Sequence, residues 1–136
     1  MLCRATLAMR LLLGLVVLGF IPACSNSFDN TGSASTSAPS FGGLTSATPG
    51  SAVREIILAW SPASDSSGTG ITYLIFQTNA GAGAENLGSP DYTTTDPTGF
   101  VVSGLQSSNQ YWFIVQAQDG TGAVDGNATE RTAVAP

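Results

Sequence analysis

The sequence predicts an all-β fold, a two-layer sandwich of about seven short strands. From Phe41 onward, branched and aromatic residues recur at period two, and Gly, Pro, Ser, Asp and Asn cluster between those runs. No stretch beyond Phe41 repeats its apolar residues at helical spacing. A first strand is expected at 44–48. The second, 54–60, puts Ile56, Leu58 and Trp60 on one face, and Ser61-Pro62 followed by Asp65-Ser66-Ser67-Gly68 ends it. The third, 71–76, turns Tyr73 and Ile75 inward. A loop with Gly81 and Gly83 leads to a weak fourth strand at 92–95 and a stronger fifth at 100–105. The best-patterned strand is the sixth, 111–117, and the seventh is expected at 128–135.

Seven short strands over residues 41–136, with frequent turns, form the pattern of an immunoglobulin-like sandwich. Four groups of residues sharpen it: Ile56-x-Leu58-x-Trp60-Ser61-Pro62, Tyr73-x-Ile75, Leu105 followed six residues later by Tyr111, and Val115-x-Ala117-x-Asp119. In these the chain resembles the fibronectin type III domain over essentially 41–136. The resemblance implies a core signature of Trp60, Tyr73, Leu105 and Tyr111, with Trp60 at the core centre and Tyr111 forming a tyrosine corner. Ser107 stands where that family usually has proline, which implies a looser corner. The loop at 81–90 matches nothing in the family.

The N-terminal end carries an address. Arg4 and Arg10 precede an apolar run from Leu11 to Ile21, the length of a signal-peptide h-region and short of the roughly 20 residues that span a bilayer. The run closes on Ile21-Pro22-Ala23-Cys24, which resembles the lipobox of bacterial lipoproteins. That resemblance implies a signal peptide at 1–23, cleavage after Ala23, and a lipid on Cys24. Pro22 departs from the commoner Ala, Ser or Thr, but it ends the apolar helix and leaves the next bond extended. A single acyl chain holds a protein only marginally on a membrane. The three chains of the lipoprotein family would hold it essentially permanently. Ser25 after the cysteine implies the outer membrane of a bacterial cell envelope.

Residues 24–40 read as the lipidated cysteine and a flexible Ser/Thr/Gly linker, too poor in apolar surface to offset ordering entropy. Sixteen such residues reach about 20–24 Å. Once the signal is removed, Arg54 and Arg131 face nine acids, two minus nine, or a formal −7. Nucleic acid is therefore not an expected partner, since the Lys and Arg clusters that neutralise phosphates are missing. Cys3 leaves with the signal and Cys24 carries the lipid, so no disulfide framework is expected.

Catalytic equipment is sparse. The chain has no His and no Lys, which removes the usual general bases, the His-containing triads and nearly all zinc sites. No catalytic residue, metal or cofactor is expected. A pair of carboxylates acting on a glycosidic bond is the enzymatic alternative. The run from Asp119 to Asn127 offers Asp119, Asp125 and Asn127 as oxygen ligands, but not in EF-hand order. It reads better as a Gly-rich turn between the last two strands.

The faces turned away from the core carry the sharper signal. With Tyr73 and Ile75 inward, Leu74 and Phe76 point outward; with Tyr111, Phe113 and Val115 inward, so do Trp112 and Ile114. The strands that carry them are neighbours in the fibronectin type III family. Leu74, Phe76, Trp112 and Ile114 therefore form a candidate binding patch where polar residues are expected. The other outcome is that the loop at 81–95 folds over it. The chain reads as a membrane-anchored binding or spacer module without enzymatic activity, facing the surface or periplasm, whose partner is a protein or a polysaccharide. A structural subunit of an envelope assembly is the alternative.

Overall fold

The computed structural model describes residues 37–136; the expected signal peptide, Cys24 and the linker up to residue 36 lie outside the described residues. Seven strands follow in order: β1 (Leu44–Pro49), β2 (Ile56–Trp60), β3 (Ile71–Thr78), β4 (Tyr92–Thr94), β5 (Gly99–Val102), β6 (Gln110–Asp119) and β7 (Glu130–Val134). They form a three-stranded sheet, β1-β2-β5, and a four-stranded sheet, β4-β3-β6-β7. Every pairing is antiparallel. This is the all-β, immunoglobulin-like sandwich that the alternation predicts.

Between the sheets, Ile56, Leu58 and Trp60 of β2 and Val102 of β5 meet Tyr73 and Ile75 of β3 and Phe113, Val115 and Ala117 of β6. All are buried, so period two converts directly into an inner face. The Trp60 and Tyr73 rings stand 5.2 Å apart, and Phe41 meets Tyr73 edge-on at 5.4 Å. Both are within the range at which aromatic pairs add about 0.5–1.5 kcal/mol beyond burial. The Tyr73 hydroxyl accepts the Ala63 N–H at 2.8 Å, which ties the start of the β2–β3 loop to the core.

Trp60, Tyr73, Leu105 and Tyr111 are all buried in this core. The Tyr111 hydroxyl accepts the Gln106 N–H at 2.9 Å, so the tyrosine corner closes at ordinary hydrogen-bond length without a proline. Ser108 supplies the bend with a φ of 66°, and its N–H donates to Ala135 O at 2.8 Å. The looser corner expected from Ser107 is therefore not observed. A backbone tie to the chain end holds the turn instead.

Strand limits shift from expectation by one or two residues at most ends, as β3 and β6 run on to Thr78 and Asp119 and β7 shortens to Glu130–Val134, and two shifts have a visible backbone cause. The second strand starts at Ile56 rather than residue 54 because Arg54 adopts φ 68°, which leaves the extended region. The fifth ends at Val102 rather than residue 105, as Gly104 turns the chain at φ 77°. The two irregularities meet. The Arg54 guanidinium donates to Leu105 O and Gly104 O, Leu105 N–H donates back to Arg54 O, and Arg54 N–H reaches Pro136 O. At the other margin Pro39 is buried, and Ser40 exchanges backbone hydrogen bonds with Ser64 at 2.8 and 2.9 Å. The sandwich thus draws in the last residues assigned to the linker. Gly99 is also required: a Cβ there would press against Leu58 O across the β2–β5 ladder.

Replacing Phe113 by Ala is expected to cost about 3–5 kcal/mol in urea unfolding, as for other buried aromatics. Tyr111→Phe, which deletes only the corner hydrogen bond, is expected to cost about 0.5–1.5 kcal/mol.

Candidate functional site

The β3–β6 ladder runs without interruption from Ile71↔Asp119 to Thr78↔Trp112. With Tyr73, Ile75, Phe113 and Val115 inside, period two sends Leu74, Phe76, Trp112 and Ile114 to the outer face of the four-stranded sheet. The four predicted patch residues are brought together. Phe76 and Ile114 are direct partners across the ladder. Two rungs away on one side Leu74 pairs with Gln116, and two rungs away on the other Trp112 pairs with Thr78 and, across β6–β7, with Thr132.

They are not equally open. Phe76 is 1% exposed and Ile114 6%, while Leu74 and Trp112 are half-buried. Of the two outcomes the sequence left open for this patch, cover holds at its centre: two partly exposed side chains flank a covered rung. Hydrogen bonds trace the cover to the segment between β3 and β4. Its return end is pinned where Asp91 N–H donates to Ile75 O at 2.9 Å and the Asp91 carboxylate accepts the Gln77 N–H at 2.7 Å. In its middle, Gly83 N–H donates to Glu130 Oε2 at 2.7 Å. Glu130 stands opposite Ile114 across β6–β7 and therefore shares the outer face of the Phe76–Ile114 rung. A backbone held at that carboxylate passes over the rung.

Glu85 follows in the same segment, and both of its carboxyl oxygens are enclosed without a hydrogen-bond donor. Burial, assisted by the neighbouring Glu130 carboxyl, raises the Glu85 acid above its ordinary 4.5. Neither glutamate stood out from the sequence, where acids read as solvated loop charges. One signal was available: Glu130 has the outward parity of Thr132 and Val134 next to an unusually apolar outer face.

At one end of the sandwich the β2–β3 loop and the loop after β6 touch. Gly120 N–H donates to Thr69 Oγ1 at 2.9 Å, and Thr69 in turn leans on Ser67 and Asp65. The residues once weighed as calcium ligands serve the backbone here. Asp119 Oδ1 accepts from Thr121 N, Thr121 Oγ1 and Ala123 N at 2.7–2.9 Å. Asp125 accepts the Ala117 N–H, and Asn127 accepts the Thr129 N–H. Asp119 Oδ2 is enclosed and undonated. Among the described residues no three His, Cys, Asp or Glu side chains gather into a metal-sized group.

Hydrogen bonds from the Thr121 hydroxyl, then the Ala123 and Thr121 amides, lower the Asp119 acid below 3.8. Ser67 does the same for Asp65, and the Thr98 amide and hydroxyl for Asp96. Burial instead pushes Asp125 up. Beside these loops lies an open cavity of about 340 Å³ floored by Tyr73 and Ile71 and edged by Asp65. A second, of about 420 Å³, lies against β5 and is edged by Asp96. Each of the two carries a single carboxylate in its lining, whereas glycoside cleavage uses two about 5–10 Å apart.

No known protein-family description matches the chain, and no curated protein does. Among solved structures it is similar to a Fn3-like protein from Clostridium thermocellum, with a TM-score of 0.54 and 22% identity over 74% of this chain and 96% of that one. The chain therefore has an Fn3-like fold.

Because Asp119 is held below its ordinary acidity, its contribution to stability is complete above about pH 3.8 and is lost as the pH falls through its lowered value. Thermal unfolding followed down to about pH 2 should show wild type losing stability over that window. Asp119→Asn should give a shallower acid slope.

Proposed function

We propose that this chain is a non-enzymatic binding or spacer module displayed at a bacterial cell envelope by a lipid on Cys24. The observation that carries the proposal is Ile21-Pro22-Ala23-Cys24 closing an apolar run of signal-peptide length. The Fn3-like fold supports a binding or spacer role in general, because such sandwiches present loops and sheet faces from a rigid core. Tethering raises the effective concentration of the domain for partners on the same membrane. The outer membrane is the proposed destination, from Ser25 after the cysteine.

Binding runs through the half-buried Trp112 and Leu74 of the outer face. Trp112 is the anchor of choice: a large amphipathic ring flanked by Thr78 and Thr132, suited to a protein side chain or a stacked sugar ring. Polyanions are not partners of a domain this acidic.

Cys24→Ser is expected to move the protein from the membrane to the soluble fraction of a cell-envelope preparation while the domain stays folded. Retention on the membrane would overturn the anchoring. Trp112→Asp should reduce capture of envelope partners in pull-downs without changing the unfolding free energy by more than about 1 kcal/mol; cooperative folding lost in this variant would make Trp112 a core residue and end its role as anchor.

A further inference from the structure

We propose that the segment at 79–91 is a pH-dependent lid, latched over Phe76 and Ile114 by a proton held between the carboxyl groups of Glu85 and Glu130 and released when that proton is lost. Both Glu85 oxygens are enclosed without a hydrogen-bond partner, and its own amide lowers the acid by less than burial raises it. The neighbouring Glu130 carboxylate already takes the Gly83 N–H on Oε2. Two carboxylates packed against each other have four acceptor oxygens and no donor between them, so the contact is attractive only when one carries a hydrogen. Burial and then the Glu130 carboxyl raise the Glu85 acid above 4.5, which favours a hydrogen in this contact.

Among the described residues nothing else on this face supplies a compensating charge. From β3 the outward side chains are Thr72, Leu74, Phe76 and Thr78; from β6 they are Gln110, Trp112, Ile114, Gln116 and Gln118; from β7, Thr132 and Val134 accompany Glu130. None of these titrates. In the lid itself Asp91 is occupied by the Gln77 amide at the far end. Arg131, the nearest cation in sequence, turns to the opposite side, where its guanidinium donates to Thr45 O and the Glu130 main-chain carbonyl. Deprotonation therefore leaves two like charges in a closed contact. The lid backbone holds few competing bonds: between its two ends, the sheet contact is the Gly83–Glu130 hydrogen bond, and turns at Gly81–Ala84 and Asn86–Ser89 are internal.

The direction of the effect follows from the raised acid. Closure is fully favoured below the ordinary glutamate value and is lost as the pH rises through the higher value of latched Glu85. Each unit between the closed and open values changes the closing equilibrium tenfold. Opening uncovers Phe76 and Ile114 and joins Leu74 and Trp112 into one apolar surface.

Hydrogen exchange on the full chain in detergent micelles, corrected for intrinsic rates, tests this between about pH 4 and about pH 8. Amides of residues 81–86 in wild type should lose protection by about tenfold or more with rising pH, while those of β6 hold theirs. Glu85→Gln, which donates a permanent hydrogen, should keep the lid protected across the range, and Glu130→Gln should do the same through its own amide. Lid protection in wild type that does not change with pH would overturn the latch. So would a Glu85→Gln variant that opens as wild type does while its β6 amides remain protected.

Discussion

The eight-rung β3–β6 ladder governs the rest of this molecule. It seats Tyr73 and Ile75 beside Phe113 and Val115 in the core and, by the same alternation, commits Phe76 and Ile114 to the outside. A slip of one residue would exchange the two sets and put Gln116 and Thr72 between the sheets, which the desolvation of their polar groups forbids. Apolar residues on both faces leave a second surface to be covered. The sandwich meets that demand with chain rather than with a partner sheet.

The cover is where polar chemistry and packing are coupled. A loop that crosses a strongly apolar rung needs a hold on the far strand, and β7 offers Glu130. Bringing Glu85 into the same seam adds a second acid in a place without a cation, so closure and proton uptake become linked. The end loops solve the opposite problem. Asp65, Asp96 and Asp119 sit where hydroxyls and amides converge on them, and these acids are held in their charged form. Side-chain carboxyls are thus favoured as turn-forming anions at one end of the sandwich and favoured as protonated acids on its flank.

Much of the fold could be read from the residues. The resemblance carried by Trp60, Tyr73, Leu105 and Tyr111 implies a core centre and a tyrosine corner, and both are found there. Strand ends were less accessible, because Arg54 and Gly104 leave extended geometry for reasons that lie some fifty residues apart in the chain and adjacent in space. The patch was readable in position but not in exposure. Parity says which side of a sheet a side chain occupies, and says nothing about what lies on top of it.

By itself the sequence determined the all-β class, the inward set of each strand and the assembly of Leu74, Phe76, Trp112 and Ile114 on one outer face, because alternation is a local property of extended backbone. Only the tertiary structure decided that Phe76 and Ile114 lie beneath the 79–91 segment, that Glu85 meets Glu130, and that Asp119 and Asp125 bind amides rather than stand free in a turn. Those outcomes depend on contacts between residues distant in the chain, whose energies belong to the folded arrangement and not to any segment of it.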